Sequence, residues 1–208
     1  MKRLKLALTK GRLQNKTIEL FDKLGYDTSP VTEPSRRLVH SIPNGPVDVV
    51  LAKAADVITY VEHGVCDMGV VGKDTILEEG RSFYEMLDLG FGRCRFALAV
   101  KKGEDIYSLL RDIRIATKYP KVAKSFFDKK GLNVEIIKIE GSVELAPLLG
   151  LADGIVDIVE TGATLLENGL EPIEDICTIS ARLIVNTVSM KLRRREITNL
   201  IENFRAVL

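Results

Sequence analysis

The chain has 208 residues, enough to bury the core of one large domain or two modest ones. Hydrophobic residues make up 46% and charged residues 28%, the balance of a folded soluble protein and not of a disordered one. The 30 basic and 29 acidic side chains nearly cancel, which excludes a global field drawing the protein to nucleic acid or an anionic membrane, so any anion site must be local.

Taken in chain order, short β-branched or leucine-rich runs alternate with helical patterns, the signature of an α/β protein with mostly parallel strands. LKLAL (4–8) predicts a strand, followed by TKGR and a helix near 12–24 that stops at Gly25. VDVVLA (47–52) predicts a strand, AADVITYVEHG a helix ending at Gly64, CDMGVV (66–71) a strand and GKDTILEEG a short helix. A second set starts at CRFALAV (94–100), with strands at 113–118, 134–139 and 154–159, each followed by a helical pattern. One further strand (177–186) and a basic amphipathic helix close the chain. The expectation is two lobes, 1–92 plus 178–208 and 93–177, with ligands at the C-terminal ends of the strands in a cleft between them.

Cys66, Cys94 and Cys177 are far apart and lack CxxC spacing, so no disulfide framework or zinc site is indicated, and a reducing compartment fits. Lys5, Lys10 and Arg12 interrupt the apolar residues of the N-terminus too soon for a signal peptide or membrane span, and the expected location is cytoplasmic. With only His40 and His63, neither of them beside a cysteine in sequence, metal-ligand and Cys/His nucleophile patterns are unsupported. There is no GxxxxGK[ST] and no GxGxxG, hence no P-loop or dinucleotide fingerprint.

Polar residues concentrate where strands meet helices. In VDIVETGATL (156–165), Gly162 permits close backbone approach, Thr161 and Thr164 offer hydroxyls, and a following helix start offers amide donors, so a phosphate fits. Asp157 and Glu160 would repel that phosphate and so face hydroxyl donors; a phosphorylated sugar has both groups. An ordinary N-cap at Glu160 or Thr161 reads equally well from this segment alone. LTKGRL (8–13) and GVVGKDT (69–75) place Lys10, Gly11 and Arg12, and Gly72, Lys73 and Asp74, at similar turns, where solvated cations and an Asp74 cap are the plainer readings. Thr117 and Lys118 close another strand, and Ser142 reads as the N-cap of a helix with Glu144 in its first turn. So many polar strand ends together favour a polyanionic ligand held from several loops.

TKGRL, GVCDMGVVGKD, LGFGRCRFALA, RIATKYP and GSVELAPLLGLADGIVDIVETGATLLENGL, in that order, closely resemble ATP phosphoribosyltransferases, the enzymes of the first step of histidine biosynthesis. The resemblance spans roughly residues 4–186. It implies two α/β lobes like type II periplasmic binding proteins, with the active site in the inter-lobe cleft. The chain stops where the family's histidine-binding regulatory domain would begin, so it resembles the short form, which works with a separate subunit similar to histidyl-tRNA synthetase.

The implied reaction joins C1 of the ribose in 5-phosphoribosyl 1-diphosphate to N1 of ATP and releases diphosphate, with Mg2+ carried by substrate and no metal ligand from the protein. Asp157, Glu160, Thr161, Gly162, Ala163, Thr164 and Lys53 are implied to bind phosphoribosyl diphosphate. Lys10, Gly11, Arg12, Gly72, Lys73, Asp74, Thr117, Lys118 and Ser142 are implied to bind ATP. Asp157, Glu160, Glu144 and Lys53 are the implied catalytic residues, and Asp74, Glu144 and Glu160 are all candidates to receive the adenine N6 proton. Where the family often shows Arg, then Asp, an aliphatic residue and Pro, this chain has Lys53, Asp56, Val57 and Ile58, which keeps the charge but loses the bidentate fork. A two-lobed anion-binding module without chemistry is the rival reading, since fold does not fix function.

Overall fold

The computed structural model describes residues 3–80 and 82–208. Its contacts divide the chain into two compact units, one of residues 1–92 and 180–208, the other of 93–179. In the first unit the chain runs β1 (Leu4–Thr9), α1 (Arg12–Lys23), α2 (Ser29–Thr32), β2 (Val39–Ser41), β3 (Val47–Ala52), α3 (Ala54–Glu62), β4 (Met68–Gly72), α4 (Lys73–Glu79) and β5 (Tyr84–Asp88). The second unit holds β6 (Cys94–Lys101), a 3-10 turn (Ile106–Ser108), β7 (Ile113–Thr117), α5 (Pro120–Lys129), β8 (Val134–Lys138), α6 (Leu145–Leu148), β9 (Gly154–Val159), α7 (Ala163–Glu167) and β10 (Leu170–Ile179). The chain then returns to the first unit with β11 (Ala181–Val185), α8 (Thr187–Leu192) and α9 (Arg194–Val207).

The first unit carries a six-stranded sheet ordered β2-β3-β1-β4-β11-β5, the second a five-stranded sheet ordered β10-β6-β9-β7-β8. Tracing directions through the pairings, β1, β3, β4 and β5 run one way against β2 and β11, and β7, β8, β9 and β10 run one way against β6. Both sheets are therefore mostly parallel in strand direction, the α/β architecture that the alternating pattern predicts.

Strand β1 explains why the first sheet must be covered twice. Its Leu4, Leu6 and Leu8 pack with Ile18, Leu20 and Phe21 of α1 and Ile197, Leu200 and Phe204 of α9, while Ala7 on the other face packs with Val57, Ile58 and Val61 of α3. An edge-to-face pair of Phe21 and Phe204, 5.1 Å between centroids, joins α1 to α9. In the second sheet, Phe96, Leu98 and Val100 of β6 meet Val122, Ala123 and Phe127 of α5, and Ala97 and Ala99 face Ala146 of α6 and Leu165 of α7. Among the described residues no helix is long and apolar enough to cross a membrane.

Several elements differ from expectation. The predicted strand 177–186 is two strands in two sheets, parted at the buried Ser180, whose hydroxyl donates to Asp88 at 2.7 Å and whose carbonyl accepts from the Lys73 amide at 2.9 Å. The closing helix is likewise two, interrupted at Arg193 (φ −126°, ψ 26°), and Asn186 caps the first of them through the amides of Val188 and Ser189. The predicted 66–71 strand starts at Met68, and β2, β5 and the first part of β10 were not foreseen. β10 carries Pro172 as an edge strand with two register shifts, where proline and bulges are tolerated. Ser142 does not cap a helix: α6 begins only at Leu145, with Glu144 at the N-cap and no side-chain cap bond.

Candidate active site

Parallel pairing fixes which loops become neighbours. In the first sheet Thr9 is level with Ala52, and Leu8 with Val70, so the residues after β1, β3 and β4 line one edge. Lys10 to Arg12, Lys53, and Gly72 to Asp74 are those residues, and the Lys10 amide donates to the Ala52 carbonyl at 3.0 Å, next to Lys53. Gly11 has φ 96° and ψ −138°, a region closed to other residues, and a methyl group there would meet no atom within 4 Å. Its backbone is thus open to a ligand at the start of α1. Lys73 is less free: its ammonium pairs with Glu85 at 2.5 Å, and Glu85 also lies 3.5 Å from Arg182. The carboxylate of Asp74 folds back over Gly72, whose missing side chain leaves the space for it.

In the second unit the same edge is formed by β8, β7 and β9, with Thr117 level with Lys138 and Val156. Lys118 and Ser142, both exposed, follow β7 and β8. Thr117 is fully buried, and its hydroxyl donates to the Val156 carbonyl at 2.6 Å while accepting from the Tyr119 amide at 2.9 Å. After β9 come the exposed Glu160 and Thr161, then Gly162 in the left-handed region at φ 85° and ψ 0°, where the five-residue α7 starts. The N-cap of α7 is Gly162, which has no side chain to cap with, and not Glu160 or Thr161 as the capping reading expected; the Thr161 hydroxyl only closes a local turn by accepting from the Ala163 amide at 3.3 Å. With α7 so short, an anion would be held by the loop's own amides more than by a helix dipole.

Asp157 lies on the sheet face lined by small residues, directly opposite Ala97 and alternating with Ile155 and Val159 of the alanine-rich cluster. Burial there pushes its carboxyl above the usual range, a nearby Glu144 adds to the shift, and the Ile158 amide and Lys118 partly oppose it. Asp157, Glu144 and Lys118 therefore form one electrostatic group. That combination of a half-buried acid, a second acid and a cation at a strand edge can hold hydroxyls and respond to developing positive charge.

An acid shifted in the other direction lies at the opposite edge of this unit. Asp153, just before β9, accepts from Arg111 at 2.7 and 2.5 Å and from the Arg114 amide at 2.8 Å, and these hold its carboxyl well below the usual range. A depressed carboxyl adds stability above its unfolded pKa and loses it as pH falls toward the folded value. Asp153→Asn should cost about 1–2 kcal/mol at pH 7, modest because Arg111 is half exposed, with the gap to wild type closing below about pH 4. Thermal melts across pH measure this, and a gap that persisted unchanged at pH 2 would refute it.

Sequence reading passed over Glu85 and Arg182, which shape the charge around Lys73, because neither sits in a glycine turn or at a strand end. Alternation in YEMLD (84–88) is the only signal available for Glu85, and it is weak because β5 is a sheet edge.

The family model describing ATP phosphoribosyltransferase (HisG) matches residues 53–206. An ATP phosphoribosyltransferase of Clostridium kluyveri is 56% identical over 200 residues, covering 96% of this chain and 91% of the relative. One of Clostridium novyi is 53% identical over 210 residues, covering 100% and 99%. Among solved structures, a chain of the ATP phosphoribosyl transferase (HisG:HisZ) complex from Thermotoga maritima matches with TM-score 0.84 and 37% identity, covering 98% of each chain. The periplasmic aliphatic sulphonate binding protein SsuA of Escherichia coli matches with TM-score 0.64 over 98% of this chain and 72% of its own, and at 12% identity it shares the fold alone. With the family model covering most of the sequence and relatives matching nearly end to end, this chain belongs to the ATP phosphoribosyltransferase family, the enzymes of the first step of histidine biosynthesis.

Proposed function

We propose that the loop 160–164 holds the 5-phosphate of 5-phosphoribosyl 1-diphosphate, with Asp157 and Glu160 on the ribose hydroxyls, and that the group is transferred to N1 of ATP. The observation that carries this reading is the placement of a left-handed Gly162 and two threonines directly after a strand bearing a half-buried acid. In the first unit, Lys10, Gly11, Arg12 and the 72–74 turn are assigned to ATP, and Lys53 to the departing diphosphate, with Lys118 and Ser142 of the second unit also serving ATP. The adjacency of Lys53 and Lys10 supports a shared polyphosphate there. The two units are taken as the two lobes of one catalytic subunit.

The chemistry asks for position and charge control. Adenine N1 carries a free lone pair, so no base is needed for attack; orientation of the two substrates can contribute on the order of 7 to 11 kcal/mol. As the C1–O bond to diphosphate breaks, negative charge collects on the leaving group and the ribose becomes cation-like. Lys53 and Lys10 answer the first charge, Asp157 and Glu160 the second. The new adenine cation then loses its N6 proton to Asp74, Glu144, Glu160 or water.

Among the described residues no three His, Cys, Asp or Glu side chains form a metal-holding group. Magnesium commonly keeps several waters and binds through substrate phosphates with at most one or two carboxylates, a donor set compatible with these loops. In this reading the ion arrives on the diphosphate, takes no assigned protein ligand, and supplies charge neutralisation when bound.

The relationship to a chain of a HisG:HisZ complex supports a hetero-oligomer; in this reading the second subunit is the histidyl-tRNA-synthetase-like regulator and the assembly works in the cytoplasm. Mixed with that partner, Mg2+, ATP and 5-phosphoribosyl 1-diphosphate, the chain should release diphosphate and form phosphoribosyl-ATP. Binding of a small anion with no diphosphate released would favour the binding-module reading.

A further inference from the structure

We propose that Thr117 is a positioning residue for Asp157, its hydroxyl fixing the peptide plane that leads into that carboxylate. The proposal rests on the assignment of Asp157 to the ribose. Thr117 is the last residue of β7, its side chain is fully buried, and its single hydroxyl uses both functions within the unit. The donor goes to the Val156 carbonyl at 2.6 Å and the acceptor takes the Tyr119 amide at 2.9 Å.

The carbonyl of Val156 and the amide of Asp157 belong to one rigid peptide unit. Holding the carbonyl therefore fixes the orientation of that plane and the position of the Asp157 Cα at its end, from which the carboxylate leaves the strand. Beyond Thr117 the chain turns toward Pro120, so β7 has no further residue to continue the ladder along β9. The hydroxyl supplies a bond at that point, and its acceptor closes a local turn that also fixes where Lys118 starts. One side chain thus governs two members of the electrostatic group, Asp157 and Lys118; the third, Glu144, faces Asp157 from the N-cap of α6.

The first unit contains the same device. Thr9 ends β1, its hydroxyl donates to the Val70 carbonyl of the neighbouring β4 at 3.0 Å, and a lysine follows it. Recurrence of Thr-Lys at corresponding strand ends of both sheets argues that the hydroxyl belongs to the construction of the ligand edge.

Thr117→Val keeps shape and removes the hydroxyl. Assayed with the partner subunit, it should lower kcat between about tenfold and a hundredfold, the scale of a misplaced reacting group. The acidic limb of the pH–rate profile should shift toward the ordinary carboxylate range as Asp157 leaves its buried setting, and Thr117→Ser should restore both rate and profile. The double variant with Asp157→Asn should be no slower than Asp157→Asn alone. A valine variant with wild-type rate and profile, or multiplicative losses in the double variant, would overturn the proposal. If the valine variant does not fold, Thr117→Ala enters the same comparisons. Full activity in Asp157→Asn would instead remove the ribose assignment.

Discussion

Gly162→Val should raise the KM for 5-phosphoribosyl 1-diphosphate by roughly five- to thirtyfold and change that for ATP by less than about threefold. The left-handed conformation costs a residue with a Cβ about 1–2 kcal/mol, more when it is β-branched, which converts to that range if the loop must leave its binding shape. A Cβ at this position would meet only Val159 Cγ1, at 3.7 Å, an ordinary contact. The strain at φ 85° is therefore conformational and confined to the loop, and the unit should fold. Initial rates with each substrate varied in turn decide the matter. Equal losses for both substrates would place the loop's role elsewhere, and no loss at all would mean that the left-handed turn is not what holds the phosphate.

Why the turns at the strand ends were legible in the sequence, and the crossing between units less so, follows from the kinds of signal involved. A parallel strand ends in a turn whose glycine and polar residues are written consecutively, as in TKGRL and VETGAT, so local reading reaches them. Which of these turns become neighbours within a sheet comes from strand order, which no local pattern encodes. Lys10 and Lys53 are 43 positions apart, and the strand ends that carry them are neighbours only because β1 lies against β3. The predicted strand 177–186 failed for the same reason. CTISARLIVN is rich in apolar and β-branched residues on both sides of Ser180, and its division there depends on Asp88 and Lys73, far away in sequence. Thr117 was legible as a polar strand end, but its two hydroxyl bonds are made by a neighbouring strand and by a turn. Composition could not separate a residue that meets a ligand from one that aims another residue.

Asp157→Asn should abolish most of the transferase activity and at the same time make the protein more stable at neutral pH. The sign follows from the direction of the shift. Burial and Glu144 raise the carboxyl of the folded state, so the folded protein binds a proton more readily than the unfolded chain. A group of this kind contributes stability below its unfolded pKa and loses it as pH rises through the folded value, so at pH 7 the ionised Asp157 is a burden on the fold. Asparagine is nearly the same size and has no charge to desolvate. Relieving such a site typically gains about 1 kcal/mol, a rise of several degrees in Tm for a unit of this size, and the gain should fade as pH is lowered into the range where the wild-type acid is protonated. Thermal melts at pH 7 and pH 4 beside a rate assay test both halves. A loss of stability at pH 7 would mean that the acid is held by partners that favour its charge, as Asp153 is, and an active, stabilised variant would mean that the carboxylate is kept for something other than catalysis. Activity lost with stability gained is the pattern expected when a half-buried acid is retained because a cation-like ribose needs it.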